Sequence, residues 1–205
     1  MKRLAGKIAI VTGSSSGIGK AIALTFGKEG AAVVIAARRK DLCEKTVAQI
    51  RKEGGDAMAI QTDVTDEAQV ERLITETVKR YGRLDLLVNN AGIGGGGRIE
   101  STIINMSSVA GVQAWAGTGT YSASKHAILA LTKSLADEGR AYKIKVSAIS
   151  PGGVADELVD ASREEILRSE QISPYDIAET AVYLATLGPY AVVHQIIVDR
   201  LGADW

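Results

Sequence analysis

Residues 84–108 read LDLLVNNAGIGGGGRIESTIINMSS. Two apolar runs, LDLLVNN and TIINMSS, read as buried strands, and between them lie the eleven residues 91–101, five of them glycine. Parallel neighbours in one sheet need a return across a face of that sheet. Such a return takes a dozen or more residues and is usually a helix. Glycine at this density cannot form that helix, because each one costs about 1 kcal/mol relative to alanine. The flanking pattern must therefore decide whether the two runs are parallel at all.

That pattern alternates. Strands are expected at 7–13 (KIAIVTG), 31–37 (AAVVIAA), 57–64 (AMAIQTDV), 84–90, 103–108, 144–150 (IKVSAIS) and 191–199 (AVVHQIIVD). Helical spacing fills 17–30, with Ile18, Ile22, Leu24 and Phe26, and 41–55, with Leu42, Val47 and Ile50 inward. A third helix covers 66–82, with Val70, Leu73, Ile74 and Val78 on one face and Gly82 beyond its end. Two more run over 121–138 and from Pro174 to about 187. Strands apolar on both faces and alternating with helices mean a parallel sheet covered on both sides. The fold class is α/β, a doubly wound parallel sheet, and ligands in such sheets bind at the carboxyl ends of the strands.

Composition narrows the function classes. The 205 residues suit one domain, 1–205, of ordinary apolar content at 46%. Lys plus Arg equals Asp plus Glu at 24 each, so no basic field points to nucleic acid or an anionic membrane. Cys43 is the only cysteine, which excludes an internal disulfide and a cysteine-based metal site; His126 and His194 read as structural, and no metal is expected. The opening MKRLAGKIAIVTG has an apolar run too short for a signal peptide, and no segment reaches the eighteen apolar residues of a membrane span. The expectation is a cytoplasmic enzyme or binding domain acting on a small molecule.

The first strand leads straight into Gly13, Ser14, Ser15, Ser16, Gly17, Ile18 and Gly19. Glycine lets the backbone approach a pyrophosphate whose charge is favoured by the N-terminal end of the next helix. A tight strand-to-helix turn would explain the glycines equally well if it stood alone. The second strand ends on Ala37, Arg38 and Arg39, where acceptors of a ribose 2′-hydroxyl would be acidic. A 2′-phosphate fits better, with Arg38 expected to carry most of the discrimination. The competing reading is a solvated charge run.

Tyr121 and Lys125 stand four apart on a helix and so share a face. A phenol, with an ordinary pKa near 10, is a poor acid–base group at pH 7, and a neighbouring ammonium favours the phenolate. Ser108, at the end of the fifth strand, is placed to hydrogen-bond a substrate oxygen.

Together these motifs resemble those of the short-chain dehydrogenase/reductase (SDR) family, of the single-domain type. TGSSSGIG (12–19) is similar to the family's cofactor loop, Asp63-Val64 to its adenine contact, and Asn89-Asn90-Ala91-Gly92 to the motif that steadies its central strand. Ser108, Tyr121 and Lys125 resemble its catalytic trio, and their thirteen-residue step from Ser108 to Tyr121 selects Ser108 over Ser107. Pro151-Gly152 resembles the nicotinamide-side turn, with Val154 following. The resemblance implies seven strands in the order 3-2-1-4-5-6-7 and an NADP(H)-dependent oxidoreductase interconverting an alcohol and a carbonyl. It implies cofactor contacts at Gly13, Ser15, Ser16, Gly17, Ile18, Gly19, Arg38, Arg39, Asp63, Val64, Asn90, Ala91, Gly92, Tyr121, Lys125, Pro151, Gly152 and Val154. Trp115 and the segment 154–173 are expected to cover the substrate. Two other readings stay open: an SDR-fold dinucleotide-binding protein with impaired catalysis, and a lyase or epimerase on the same scaffold.

The chain departs from the family twice. In the family, the segment after NNAG leads into a long helix that bears a relay asparagine and forms much of the subunit interface. Here GIGGGGRIE runs directly into STIINMSS, as if joined at Glu100–Ser101. Asn105 belongs to the strand and is not the relay residue. Either the protein is shortened internally, or a helix belonging between Glu100 and Ser101 is absent from these 205 residues. The second is expected, since a bare apolar face is rarely tolerated; a homodimer or homotetramer follows only if that helix is present. Second, Asp156 stands where the family commonly has a threonine that meets the nicotinamide carboxamide.

Overall fold

The computed structural model describes residues 2–91 and 102–202. Seven strands, β1 (Ile8–Thr12), β2 (Ala32–Ala37), β3 (Asp56–Gln61), β4 (Leu86–Asn89), β5 (Thr102–Met106), β6 (Lys145–Pro151) and β7 (Gln195–Val198), form one sheet. Their order is β3-β2-β1-β4-β5-β6-β7 and every pairing is parallel, as expected of a doubly wound Rossmann-like fold. Leu86 pairs with Thr102 and Asn89 with Asn105, so the two runs that open the sequence reading are indeed parallel neighbours. The Glu100–Ser101 junction, Gly92 and the glycines after it lie outside the described residues.

The helices are α1 (Gly17–Lys28), α2 (Lys40–Lys52), α3 (Glu67–Tyr81), α4 (Gly119–Gly139), α5 (Arg163–Arg168) and α6 (Pro174–Thr186). Local chemistry fixes their ends. Asp66 caps α3 by accepting from Gln69 N–H, and Gly82 closes it at φ 83°, a conformation that disfavours a side chain. Ser173 caps α6 and Pro174 opens it. β1 and β5 are buried throughout, the expected state of strands covered on both faces. The larger core packs α1, α2 and α6 on the sheet around the fully buried Phe26, whose burial contributes about 1.5–3 kcal/mol. The smaller core joins Leu73 of α3 to Ile10, Val34 and Ala36.

Several expectations need correction. On α3 the buried residues are Leu73 and Thr77, not the whole Val70–Leu73–Ile74–Val78 stripe, and Val78 is 39% exposed. Thr77 tolerates burial because its hydroxyl donates to Leu73 O at 2.7 Å. The last strand is shorter than 191–199, and β3 gives way at Thr62 to a turn closed by Asp63. The short α5 lies inside the segment 154–173, where no helix is expected from the sequence.

Candidate active site

The carboxyl ends of β1, β4, β5 and β6 meet the start of α1 and the first turns of α4. Gly13 and Gly17 have φ of 65° and 56°, turning the chain sharply from β1 into α1. From the end of β4, Asn90 Nδ2 donates to Thr12 O at 3.1 Å and Gly13 O at 3.3 Å. Ala91 N–H donates to Thr12 Oγ1 at 3.1 Å. A Cβ at Gly13 would lie 2.7 Å from Asn90 Nδ2, and one at Gly19 would lie 2.6 Å from Gly13 O. Both glycines are thus dictated by this packing as well as by any ligand. Ser14 is fully buried; it donates to Val11 O and accepts from Ala36 N–H, tying the turn to β1 and β2.

Ser16, the residue before α1, does not cap the helix with its side chain, and no acidic residue lies in the first turn. The positive end of α1 therefore faces the turn, as a diphosphate would require. Arg39 Nη2 donates to Ser15 Oγ at 3.1 Å and Ser16 Oγ at 2.8 Å. Arg38 meets this region through its carbonyl oxygen, which accepts from Gln61 Nε2 at 3.0 Å. Asp63 Oδ1 accepts from Thr65 N–H at 3.0 Å and Thr65 Oγ1 at 2.8 Å. Those two bonds, with a smaller contribution from Arg38, hold the Asp63 carboxyl below the usual range. A nicotinamide dinucleotide fits this end: a glycine-bounded turn of small serines at the start of α1, with a guanidinium close by.

At the chemical end, β5 stops at Met106, short of the expected 108, and Ser108 follows in extended backbone at φ −162°, its Oγ accepting from Ala110 N–H at 3.2 Å. Ser107 points elsewhere, donating to Lys125 O at 2.9 Å, so the strand-end hydroxyl left for chemistry is that of Ser108. Lys125 Nζ lies 5.7 Å from the centroid of the Tyr121 ring and donates to Met106 O at 3.3 Å. One turn of α4 thus carries the ammonium beside the phenol and brings both to the end of β5. Tyr121 is 53% exposed, accessible to a substrate oxygen. Beneath the pair, Asn89 Nδ2 donates to Asn105 Oδ1 and Asn105 Nδ2 to Thr132 Oγ1, locking β4, β5 and α4 together.

Pro151 ends β6, and Gly152 N–H donates to Val198 O at 2.8 Å. Val154 bridges Ile172, folding the segment 154–173 back on itself. Two contacts here have no clear sequence signal. Lys20 Nζ donates to both oxygens of Asp160, at 2.8 and 2.9 Å, and Asp156 lies against the first turn of α1. His126 Nδ1 is bonded to Ser122 O, a role internal to α4. Among the described residues no cluster suited to a metal occurs, and no helix is long and apolar enough to cross a membrane. A cavity of about 860 Å³ opens at the opposite end of the strands, beside Leu4, Lys7 and Asp85. It does not include Ser108, Tyr121 or Lys125, and the convergence of side chains, not cavity size, marks the site.

Comparison with known proteins bears out the fold and gives the family. The family described as short chain dehydrogenase matches residues 7–102 and 96–167, in two stretches that meet at 96–102. An uncharacterized oxidoreductase, YxjF, of Bacillus subtilis is 34% identical over 247 residues, spanning 94% of this chain and 96% of the relative. Versicolorin reductase 1 of Aspergillus parasiticus is 35% identical over 242 residues, 98% of this chain and 91% of the relative. Among solved structures, a dehydrogenase/reductase from Sinorhizobium meliloti superposes with a TM-score of 0.83 at 31% identity, covering 98% of this chain and 96% of the other. Both aligned spans exceed the 205 residues of the chain, so these relatives hold residues with no counterpart here.

Proposed function

The chain belongs to the short-chain dehydrogenase family, and we propose that it is an NADP(H)-dependent oxidoreductase interconverting a small alcohol and its carbonyl compound. The observation that carries this reading is the Lys125 ammonium 5.7 Å from the centroid of the Tyr121 ring, with Ser108 two residues past the end of β5. In reduction, Tyr121 gives its phenolic proton to the carbonyl oxygen; in oxidation, its phenolate takes the proton from the alcohol. Lys125, beside the Tyr121 ring, would hold the nicotinamide ribose. Ser108 donates a hydrogen bond to the reacting oxygen and fixes its position against Tyr121. When bound, the nicotinamide supplies or accepts the hydride.

The preference for NADP(H) is supported by the Arg39 guanidinium on the hydroxyls of Ser15 and Ser16, with Arg38 beside it. First-turn N–H groups of α1 at Gly17 and Ile18 would receive the diphosphate, Asp63 and Val64 the adenine, and Pro151, Gly152 and Val154 the nicotinamide side. The segment 154–173, with Trp115, would cover a small substrate. The balanced composition supports a cytoplasmic setting without nucleic acid or membrane partners.

The test is deuteride transfer from NADPH labelled at C4 to a panel of carbonyl compounds. Deuterium on the carbinol carbon of the product, lost in Ser108→Ala, is the expected result. Cofactor binding with no transfer across the panel would favour the binding-protein reading, which the interrupted family match at 96–102 keeps in play. Incorporation of solvent isotope without net NADPH consumption would favour a lyase or epimerase.

A further inference from the structure

Asp156 opens a short 3-10 turn, Asp156–Leu158, that packs on α1. Its carboxylate stands against the first turn of α1: a Cβ on Gly17 would lie 3.4 Å from its Cγ and Oδ1. The carboxylate therefore lies beside the first turn of α1, at the end of the helix that a diphosphate would use. A second contact fixes this placement. Four residues on, Asp160 holds the ammonium of Lys20, whose side chain is only 10% exposed, with both oxygens. The segment is thus pinned to α1 by Asp160 and brings the Asp156 carboxylate against its first turn.

We infer that Asp156 is an internal occupant of the phosphate position, which the dinucleotide must displace as it binds. This rests on the reading of the turn as a dinucleotide site. A helix N-terminus holds one anion well and two poorly, because the N–H groups are few and the anions repel. Burial pushes the Asp156 carboxyl upward, the Ile18 N–H opposes that shift, and Glu157 adds to it. A carboxylate so placed gives way when an anion with more negative charge arrives. The neutral threonine common at this place in the family would not compete in this way. Asp156 is thereby a determinant of cofactor affinity and a coupling between cofactor binding and the position of the 154–173 segment.

The experiment is calorimetric titration of the full chain, Asp156→Asn and Asp156→Thr with NADPH, inorganic pyrophosphate and adenosine 2′-monophosphate, which lacks a diphosphate. Both variants are expected to bind NADPH and pyrophosphate roughly ten-fold more tightly than the unaltered chain. Adenosine 2′-monophosphate should bind all three proteins alike. Equal NADPH and pyrophosphate affinities across the three proteins would overturn the inference while leaving the cofactor reading intact. Tighter pyrophosphate binding by both variants, with no binding of NADPH or NADH by any protein, would uphold displacement at the helix end and overturn the dinucleotide reading instead.

Discussion

Arg39 Nη2 donates to Ser16 Oγ at 2.8 Å, joining the end of β2 to the glycine-rich turn. A phosphate on the adenosine ribose would enter between these two groups and take over the guanidinium. A hydrogen bond to a charged group is worth about 1.5–3 kcal/mol, so Arg39→Leu should weaken NADPH by roughly ten- to a hundred-fold. NADH should be almost unaffected. Arg38→Leu should cost less, since Arg38 meets this region through its carbonyl oxygen. Fluorescence titration of both coenzymes decides it, and equal losses for NADPH and NADH would make Arg39 a brace of the turn and nothing more.

Tyr121→Phe should abolish turnover while leaving NADPH affinity within a few-fold. The ring keeps its place beside Lys125, and only the proton is lost. Single-turnover measurement of NADPH oxidation is the check. Substantial residual activity in a clean preparation would remove Tyr121 from the mechanism.

The seven strands were legible because buried parallel strands read as short apolar runs, while their order followed only from the family resemblance; the helix ends at Gly82 and Pro174 carried local signals. The site was legible where chemistry recurs at fixed local spacing, as in Tyr121 and Lys125. Contacts made by long side chains across the fold were not. Whether Arg38 or Arg39 reaches the turn depends on the direction of each side chain as the chain leaves β2. Likewise the pairing of Asp160 with Lys20 spans 140 residues and has no local signature. The exposed Val78 shows the limit of periodicity: a helical stripe says which residues share a face, not how much of that face the sheet covers.

The Lys20–Asp160 pair gives a stability prediction. Asp160→Ala leaves a nearly buried ammonium without its carboxylate, but Asp160 itself is 62% exposed and solvent screens much of the interaction. A loss of about 1 kcal/mol is expected, roughly 2–4 °C in Tm for a chain of this size. Adding Lys20→Met should recover the loss, because the unpaired charge is then gone. If the double variant melts no higher than Asp160→Ala, the ion pair is not the source of the effect.

Acid should weaken the attachment of the N-terminal segment. Arg3 donates through its guanidinium and its backbone N–H to Glu29, holding that carboxyl down at about 2 from an ordinary value of 4.5. A depressed folded-state pKa means the contribution is fully present above about 4.5 and is lost as pH falls through about 2. Glu29→Gln should therefore lower the urea midpoint at pH 6, and the difference from the unaltered protein should shrink toward pH 2. A difference that stays constant over this range would show that Glu29 acts through packing alone.

Between Asn89 and Thr102 run twelve residues, 90–101, which fully extended would span up to ~40 Å. The return past a four-residue strand needs only about 13 Å along it. Reach therefore does not demand a helix; coverage does. On the face that α3 and α4 share, Val78 is 39% exposed and Leu131 is 43% exposed. The family match divides at 96–102, and the aligned relatives hold residues that this chain lacks. We expect the purified natural protein to exceed the 21.5 kDa of these 205 residues by the mass of an amphipathic helix of several turns. Tryptic peptides should place that helix between Glu100 and Ser101, and it should carry an asparagine able to serve as the relay residue. An intact mass of 21.5 kDa would mean that the glycine-rich stretch makes the return as extended chain. Relay and usual subunit surface would then both be missing, and the non-catalytic dinucleotide-binding reading would stand above the enzyme.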